Sequence, residues 1–386
     1  MSIPAPVPFT PTKQERKAQP LPSAFEWRDP ATLPPRPWVY GRHLIRKQVS
    51  VTVAPGGVGK SSLTIVEALA MASGRQLLDE WTAPNLRVWM FNLEDPTEEL
   101  DRRITAAMLH HQVSPAAIEG RLFRDSGRDR SLCVAVQTRN GTEILKPAFD
   151  ELAEQITALG IDVVIVDPFV SCHQASENDN GAIDLVAKEW ARLADRCNCA
   201  IELVHHTRKT NGAEASTEDA RGATALLGAA RSGRVLNRMG DKTKADAGLK
   251  DDPATYFSVD RDKANLAPIG KRVWRRMATY RLPNGDDVGV AVAWEMPDDF
   301  DGVSVADLLK VQHAVDGKDF RESPQARDWA GNAVADVLGL DAKADKGRIT
   351  RLLRTWVSNG ALSVVKRADG SRHSRPFIEV GEWATA

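Results

Sequence analysis

Between Val49 and Ala54 the chain reads VSVTVA, passes a glycine-rich turn, and from Lys60 places apolar residues at helical spacing through SSLTIVEALAMA. Three further apolar runs, LRVWMFNLED, IDVVIVDPF and CAIELVHH, alternate with helical patterns up to about Pro297. Apolar runs bounded by turn signals and separated by amphipathic helices predict an α/β domain built on a mostly parallel sheet, whose strands are covered on both faces. From Asp298 the pattern changes. VSVADLLKVQHAV, ARDWAGNAVADVLGL and KGRITRLLRTWVSNGAL read as three helices, the last stopped at Asn359 and Gly360, and SVVKRADGSRHSRPFIEV reads as a hairpin around Asp369 and Gly370. Ahead of Trp38, ten of the 22 prolines sit among polar residues, a composition that favours an extended arm. The expected organisation is an arm over residues 1–37, an α/β domain over 38–297 and a small helical domain with a hairpin over 298–386.

Composition narrows the class. With 42% hydrophobic and 27% charged residues, the 386-residue chain is globular. No apolar run approaches the roughly 20 residues that cross a bilayer, and MSIPAPVPFTPTK lacks a secretory core, so the expected location is the cytoplasm, with no membrane partner. Cys133, Cys172, Cys197 and Cys199 match neither a zinc framework nor a disulfide scaffold and are expected to be reduced. A net charge of -1 puts any nucleic-acid contact on local patches.

The glycine-rich turn carries the strongest signal. APGGVGKSS lies between a strand and a helix, the setting in which successive backbone N–H groups converge on phosphate oxygens at a helix N-terminus. Pro55, Gly56, Gly57, Val58, Gly59, Lys60, Ser61 and Ser62 are therefore expected to cradle ATP. Lys60 would reach the β- and γ-phosphates and Ser61 would hold Mg2+. Ala54 stands where the stricter motif has its first glycine.

Carboxylates close two of the other strands. Glu94, at the carboxyl edge of the sheet, is placed to orient an attacking water, while Asp95, before Pro96, also suits a helix cap. Asp167 ends an apolar strand and is expected to assist the metal. His205 and His206 point to opposite faces because they are adjacent on a strand, so one of them is expected to sense nucleotide state rather than both to bind zinc. Arg208 and Lys209 follow in a polar segment, as phosphate contacts or as solvated charges. Arg221, Arg231 and Arg234 surround ATALLGAA, and an arginine fork suits the spread charge of a phosphoryl transition state.

In the tail, Arg348, Arg351 and Arg354 recur at helical spacing on the third helix, and the hairpin adds Lys366, Arg367, Arg372 and Arg375. Three helices and a hairpin describe a winged helix-turn-helix, and the cations give it the footprint of a DNA-binding module, although such modules also bind protein.

The order GGVGKSS, LED, VVIVDP, VHHTRK and RGATALLGAAR resembles the RecA-like ATPases of the plasmid RepA type, relatives of the DnaB-type replicative helicases, over residues 38–297. The resemblance implies a RecA-like P-loop NTPase core, a homo-oligomeric, hexameric ring with ATP at subunit boundaries, Glu94 as catalytic base, Asp167 on magnesium and one of His205 and His206 as sensor. It also implies an arginine from the neighbouring subunit, Arg231 in first place and Arg221 in second. DKANLAPIG looks like the K-x-R-x-G-P segment of that class. Lys263 matches it and Asn265 replaces its arginine, which leaves Lys263 supporting Arg231. Two functions follow as alternatives: an ATP-driven helicase of a plasmid, phage or other mobile element, acting on single-stranded or forked DNA with a replication-initiation partner, or a DNA-binding ATPase in which ATP controls assembly alone.

Overall fold

The computed structural model describes residues 22–207, 214–216, 223–247, 249, 252, 255–368 and 373–385. The chain divides into two units, one ending at Arg36 and one beginning at Pro37. In the first, residues 22–36 are exposed throughout, and a short turn at Pro30–Thr32 is capped by the Asp29 carboxylate, which accepts from the Ala31 amide at 2.9 Å.

The second unit opens with the small pair β1 (Trp38–Tyr40) and β2 (Leu44–Ile45). There follow β3 (Val49–Ala54), α1 (Lys60–Ser73), β4 (Val88–Asn92), α2 (Thr97–His110), α3 (Pro115–Ile118) and β5 (Leu122–Ser126). A side hairpin, β6 (Ala135–Thr138) and β7 (Gly141–Ile144), precedes α4 (Lys146–Leu159), β8 (Val163–Asp167), α5 (Asn180–Arg196) and β9 (Ala200–His206). The domain continues with α6 (Ala223–Ala229), β10 (Ser232–Arg238), α7 (Asp241–Asp246), β11 (Tyr256–Ala264), β12 (Val273–Arg281) and β13 (Asp287–Ala293).

Nine of these strands form one sheet in the order β13-β12-β11-β10-β3-β9-β8-β4-β5. From β10 to β5 every pairing is parallel, and β11 to β13 extend the sheet as an antiparallel meander. The four expected strands all lie in the parallel part. β3 is flanked by β10 and β9, with β8 one strand further, so a single strand separates the one that feeds the glycine-rich turn from the one that ends in Asp167. Val49, Val51 and Val53 enter a hydrophobic cluster with Ile156 and Trp190, while Ala54 joins Leu63, Leu69 and Ile104 on the other side of the sheet. Both faces of β3 are covered, which explains its unbroken burial.

The polar positions of that second face are satisfied internally. Arg234 on β10 makes two 2.6 Å bonds to the Glu67 carboxylate on α1 and donates to Thr52 Oγ1 at 2.7 Å. Thr52 in turn donates to Glu202 on β9, and the His43 ring lies 2.9 Å from that carboxylate. Removing one partner of such a buried pair costs about 3–5 kcal/mol, since the other charge is left unpaired. Arg234 therefore ties α1 to the sheet and does not point toward a transition state, a correction to its grouping with Arg221 and Arg231.

Beyond residue 298 come α8 (Val305–Val315), β14 (Phe320–Arg321), α9 (Ala330–Leu338), α10 (Lys346–Ser358), β15 (Leu362–Ala368) and β16 (Ser374–Val380). The three strands form a sheet in the order β14-β16-β15, and Trp329, Ile349, Trp356, Leu362 and Ile378 share a third hydrophobic cluster. The three expected helices and both hairpin strands are present, and β14 is an added strand too short for its alternation to be read. The turn signal Asp369-Gly370 and Arg372 lie outside the described residues.

Candidate nucleotide site

At the carboxyl ends of β3, β4, β8 and β9 the sheet opens into a cleft of about 680 Å³, the edge where open α/β sheets take ligands. Gly57 and Gly59 adopt φ of 72° and 113°, conformations that side chains resist, and α1 starts at Lys60 directly after them. Gly56 has an ordinary φ and open space around it, so the turn does not need glycine there. Val58 is buried in the core behind the loop. The Ser62 hydroxyl donates to the Gly289 carbonyl at 3.0 Å and accepts from the Ala291 amide at 2.9 Å, so Ser62, which lines the cleft, spends its hydroxyl on anchoring β13.

Lys60 lies at the floor, its ammonium bonded to the carbonyls of Ala54 at 3.1 Å and Pro55 at 3.2 Å. Burial lowers its pKa, opposed by the charges of Asp167 and Glu94. It also donates to His206 Nδ1 at 3.0 Å, which leaves the other ring nitrogen 3.9 Å from Glu94 Oε1. His206 is thus a bridge between the phosphate-binding lysine and the exposed carboxylate. Its pKa is lowered, chiefly by burial and then by the Lys60 charge, so it is neutral at neutral pH. His205 points the other way. Its ring is buried 5.9 Å from Phe169, behind the sheet, and the strand alternation removes it from the cleft.

Ser61 and Asp167 meet directly, the hydroxyl donating to Oδ2 at 2.7 Å. Burial raises the Asp167 pKa to about 6, with the Ser61 bond and the Lys60 charge pulling the other way. A hydroxyl and a carboxylate converging on one point, with the carboxylate short of positive charge, fit the oxygen ligands that Mg2+ prefers. Asn92 shapes the turn before them: its side-chain oxygen accepts from the amides of Glu94 at 3.0 Å and Asp95 at 2.8 Å. Asp95 is not the helix cap. Pro96 holds that position, and the Asp95 carboxylate pairs with Arg103 at 2.8 Å.

Several cleft residues had no signal in the sequence. Arg102 bonds Glu99 at 2.5 Å and Asp286 at 2.7 Å, which joins α2 to the β12–β13 turn along one wall, and Arg238 donates to the Gly57 carbonyl at 2.7 Å. An i,i+3 or i,i+4 pair such as Glu99 with Arg102 and Arg103 reads as a surface helix until the tertiary neighbours are known.

Arg231 and Lys263 stand elsewhere. The Arg231 amide bonds the Val49 carbonyl at 2.9 Å, which puts it at the start of β3, and Lys263 pairs across from Gly233 with its ammonium on the Leu227 carbonyl. Six residues of strand, roughly 16–20 Å, separate that edge from the phosphate loop of the same chain. Arg208, Lys209 and Arg221 lie outside the described residues.

The AAA_25 model, described as an AAA domain, matches residues 14–212, just over half the chain and the stretch that holds Lys60, Glu94, Asp167 and His206. The chain belongs to that AAA domain family. Among solved structures, the crystal structure of the RadB recombinase aligns with 60% of this chain and 88% of its own, at 12% identity and a TM-score of 0.40. That similarity is remote. No described helix is long and apolar enough to cross a membrane, and the described residues contain no cluster of three metal-ligating side chains. All four cysteines are free.

On the tail, three of the expected DNA contacts are already engaged. Arg351 makes bonds of 2.6 and 2.5 Å to the Asp299 carboxylate, and Arg348 donates to the Asp299 carbonyl at 2.9 Å and to that of Asp301. Arg367 pairs with Asp319 and Glu379 at 3.3 Å each and lies over the Phe377 ring. Arg354 is exposed, with no ion pair among the described residues. The helical spacing set the arginines on one face, but the acidic stretch 298–301 folds back onto that face and consumes two of them.

Proposed function

We propose that this chain is an ATP-hydrolysing RecA-like ring ATPase of the RepA and DnaB type, acting as a replicative DNA helicase of a plasmid, phage or other mobile element. The observation that carries the reading is the connected series Lys60, His206, Glu94. It joins the phosphate grip to a carboxylate 58% exposed and to the end of β9, from which the chain runs into residues 208–213.

In this mechanism Lys60 leaves its two loop carbonyls for the β- and γ-phosphates of ATP, and Ser61 and Asp167 would hold Mg2+, whose charge would offset that of the phosphates. Glu94 orients the attacking water. Neutral His206 responds to loss of the γ-phosphate through both its partners, and β9 carries that change to Arg208 and Lys209 at the DNA. Arg231, supported by Lys263, completes the site of a neighbouring subunit in a hexamer, since its own site is out of reach; Arg221 is the second choice. The proposed division is an arm over 1–37, the ATPase domain over 38–297 and a winged helix over 298–386, supported by the separate core around Trp356. With Arg351 neutralised by Asp299 and Arg348 held on two backbone carbonyls, the winged helix is better suited to a protein partner such as a replication-initiation factor than to DNA.

The test is ATP turnover with and without single-stranded DNA. Stimulation of the wild type, lost in Glu94→Gln, supports the motor. Turnover indifferent to DNA removes it.

A further inference from the structure

A second charged cavity lies on the flank of α1, two turns below the phosphate loop. It holds about 30 Å³ and is lined by Tyr40, Arg42, Glu67, Glu80, Arg234, Arg261, Lys271 and Arg275 among others. Arg234 is neutralised by Glu67, which leaves four cations, Arg42, Arg261, Lys271 and Arg275, against the single carboxylate of Glu80. None of the four has an ion pair among the described residues. Burial lowers the Arg261 pKa; the Glu80 carboxylate opposes this, and the positive charges of Arg234 and Arg42 add to it.

Two buried donors at the floor have no partner. Arg275 is 5% exposed; its two terminal nitrogens bond the carbonyls of Trp274 and Leu78, and its Nε bonds nothing. Tyr40 is 2% exposed and its hydroxyl, set among the charges of Glu67, Arg234, Glu80 and Arg275, is also without a partner. Buried donors left unpaired cost about 1–3 kcal/mol each, so two of them facing one cation-lined cavity mark a place for an acceptor.

We propose that this cavity is an anion site for a single phosphate group, distinct from the nucleotide cleft. Arg275 Nε and the Tyr40 hydroxyl donate from the floor, while Arg261, Arg42 and Lys271 close the mouth with charge-assisted bonds. The phosphate is either free inorganic phosphate or a phosphodiester of a nucleic-acid strand. Leu63 and Glu67 of α1 line the same cavity, so an occupant also lies against the helix that begins at Lys60.

The experiment is calorimetric titration of full-length Lys60→Ala protein with inorganic phosphate, at ionic strength held constant with chloride. The same titration is run on this chain with Arg261→Gln and Lys271→Gln added, and on one with Arg42→Gln alone. Saturable binding that weakens about tenfold or more in the double variant supports the site. A single-stranded oligonucleotide added to the phosphate-loaded chain then separates the sources: displacement assigns the site to backbone phosphates, and retention assigns it to free phosphate. No saturable binding, or equal affinity in all folded variants, overturns the proposal and leaves the cavity to water. Because Lys60→Ala disables the nucleotide cleft in every arm, failure here is separate from failure of the ATPase reading.

Discussion

The nucleotide cleft and the face of α10 both looked, from sequence, like places where basic side chains wait for phosphate, and they differ in what faces them. In the cleft, Lys60 rests on two backbone carbonyls and a neutral histidine, partners a triphosphate can replace without stranding a charge. On α10, Arg351 is held by a carboxylate of its own chain, and a DNA phosphate would have to displace it. A cation is available to a ligand when its resting partners are neutral, and the spacing of arginines along a helix says nothing of that.

The sharpest way to break this contrast is at the cleft. Lys60→Ala should abolish ATP hydrolysis, and Glu94→Gln should lower turnover by about 10²–10⁴-fold while leaving nucleotide affinity within a few-fold, as measured by steady-state kinetics and a fluorescent-nucleotide titration. Arg231→Ala should remove turnover and keep binding. Mixed with Lys60→Ala protein, it should regain activity at the boundaries that pair an intact loop with an intact arginine. Absence of that recovery would place the finger elsewhere.

A smaller effect concerns pH. The folded pKa of Asp167, about 6, lies above its ordinary 3.8, with burial as the main cause, so the folded state holds this proton more tightly than the unfolded chain does. Its contribution to stability is therefore present at low pH and is lost as pH rises from about 4 to 6. Mg2+-dependent nucleotide binding, which needs the carboxylate, should grow over the same window. Thermal melts and nucleotide titrations between those limits check both slopes, and Asp167→Asn should flatten them.

The smallest effects are expected on α10. Arg351→Ala should cost about 1 kcal/mol of stability, because its pair with Asp299 is still partly solvated, and should leave the salt dependence of DNA binding unchanged. Arg354→Ala should leave stability unchanged and, if this face meets DNA, lower the salt slope by about one. Equal loss of DNA affinity in both variants would mean that Asp299 releases Arg351 on binding.

How much of this was legible follows the range of the interactions. The phosphate loop, Glu94, Asp167 and the opposed histidines are local: a strand ending in a turn fixes where each residue projects, and β9 alternates as expected until only His206 is left in the cleft. The antiparallel strands β11 to β13 were less visible because their half-exposed residues lack the long apolar runs of the parallel strands. The Arg102–Asp286 bridge, the Arg234–Glu67 pair and the clasp of Asp299 on Arg351 join residues 52 to 184 positions apart, and no spacing rule reaches that far. Arg234 in particular sits three residues after Arg231 in the sequence and has a wholly different task.

The central claim is that the energy released at Lys60 and Glu94 moves DNA strands. Its most direct test is strand displacement on a forked duplex with ATP and Mg2+, comparing wild type with Glu94→Gln and recording particle mass in the same buffer. Unwinding by a ring-sized wild-type assembly, absent in the variant, is the result expected. A wild-type protein that hydrolyses ATP and binds the fork, yet separates no strands, would contradict it and make the nucleotide a switch for assembly.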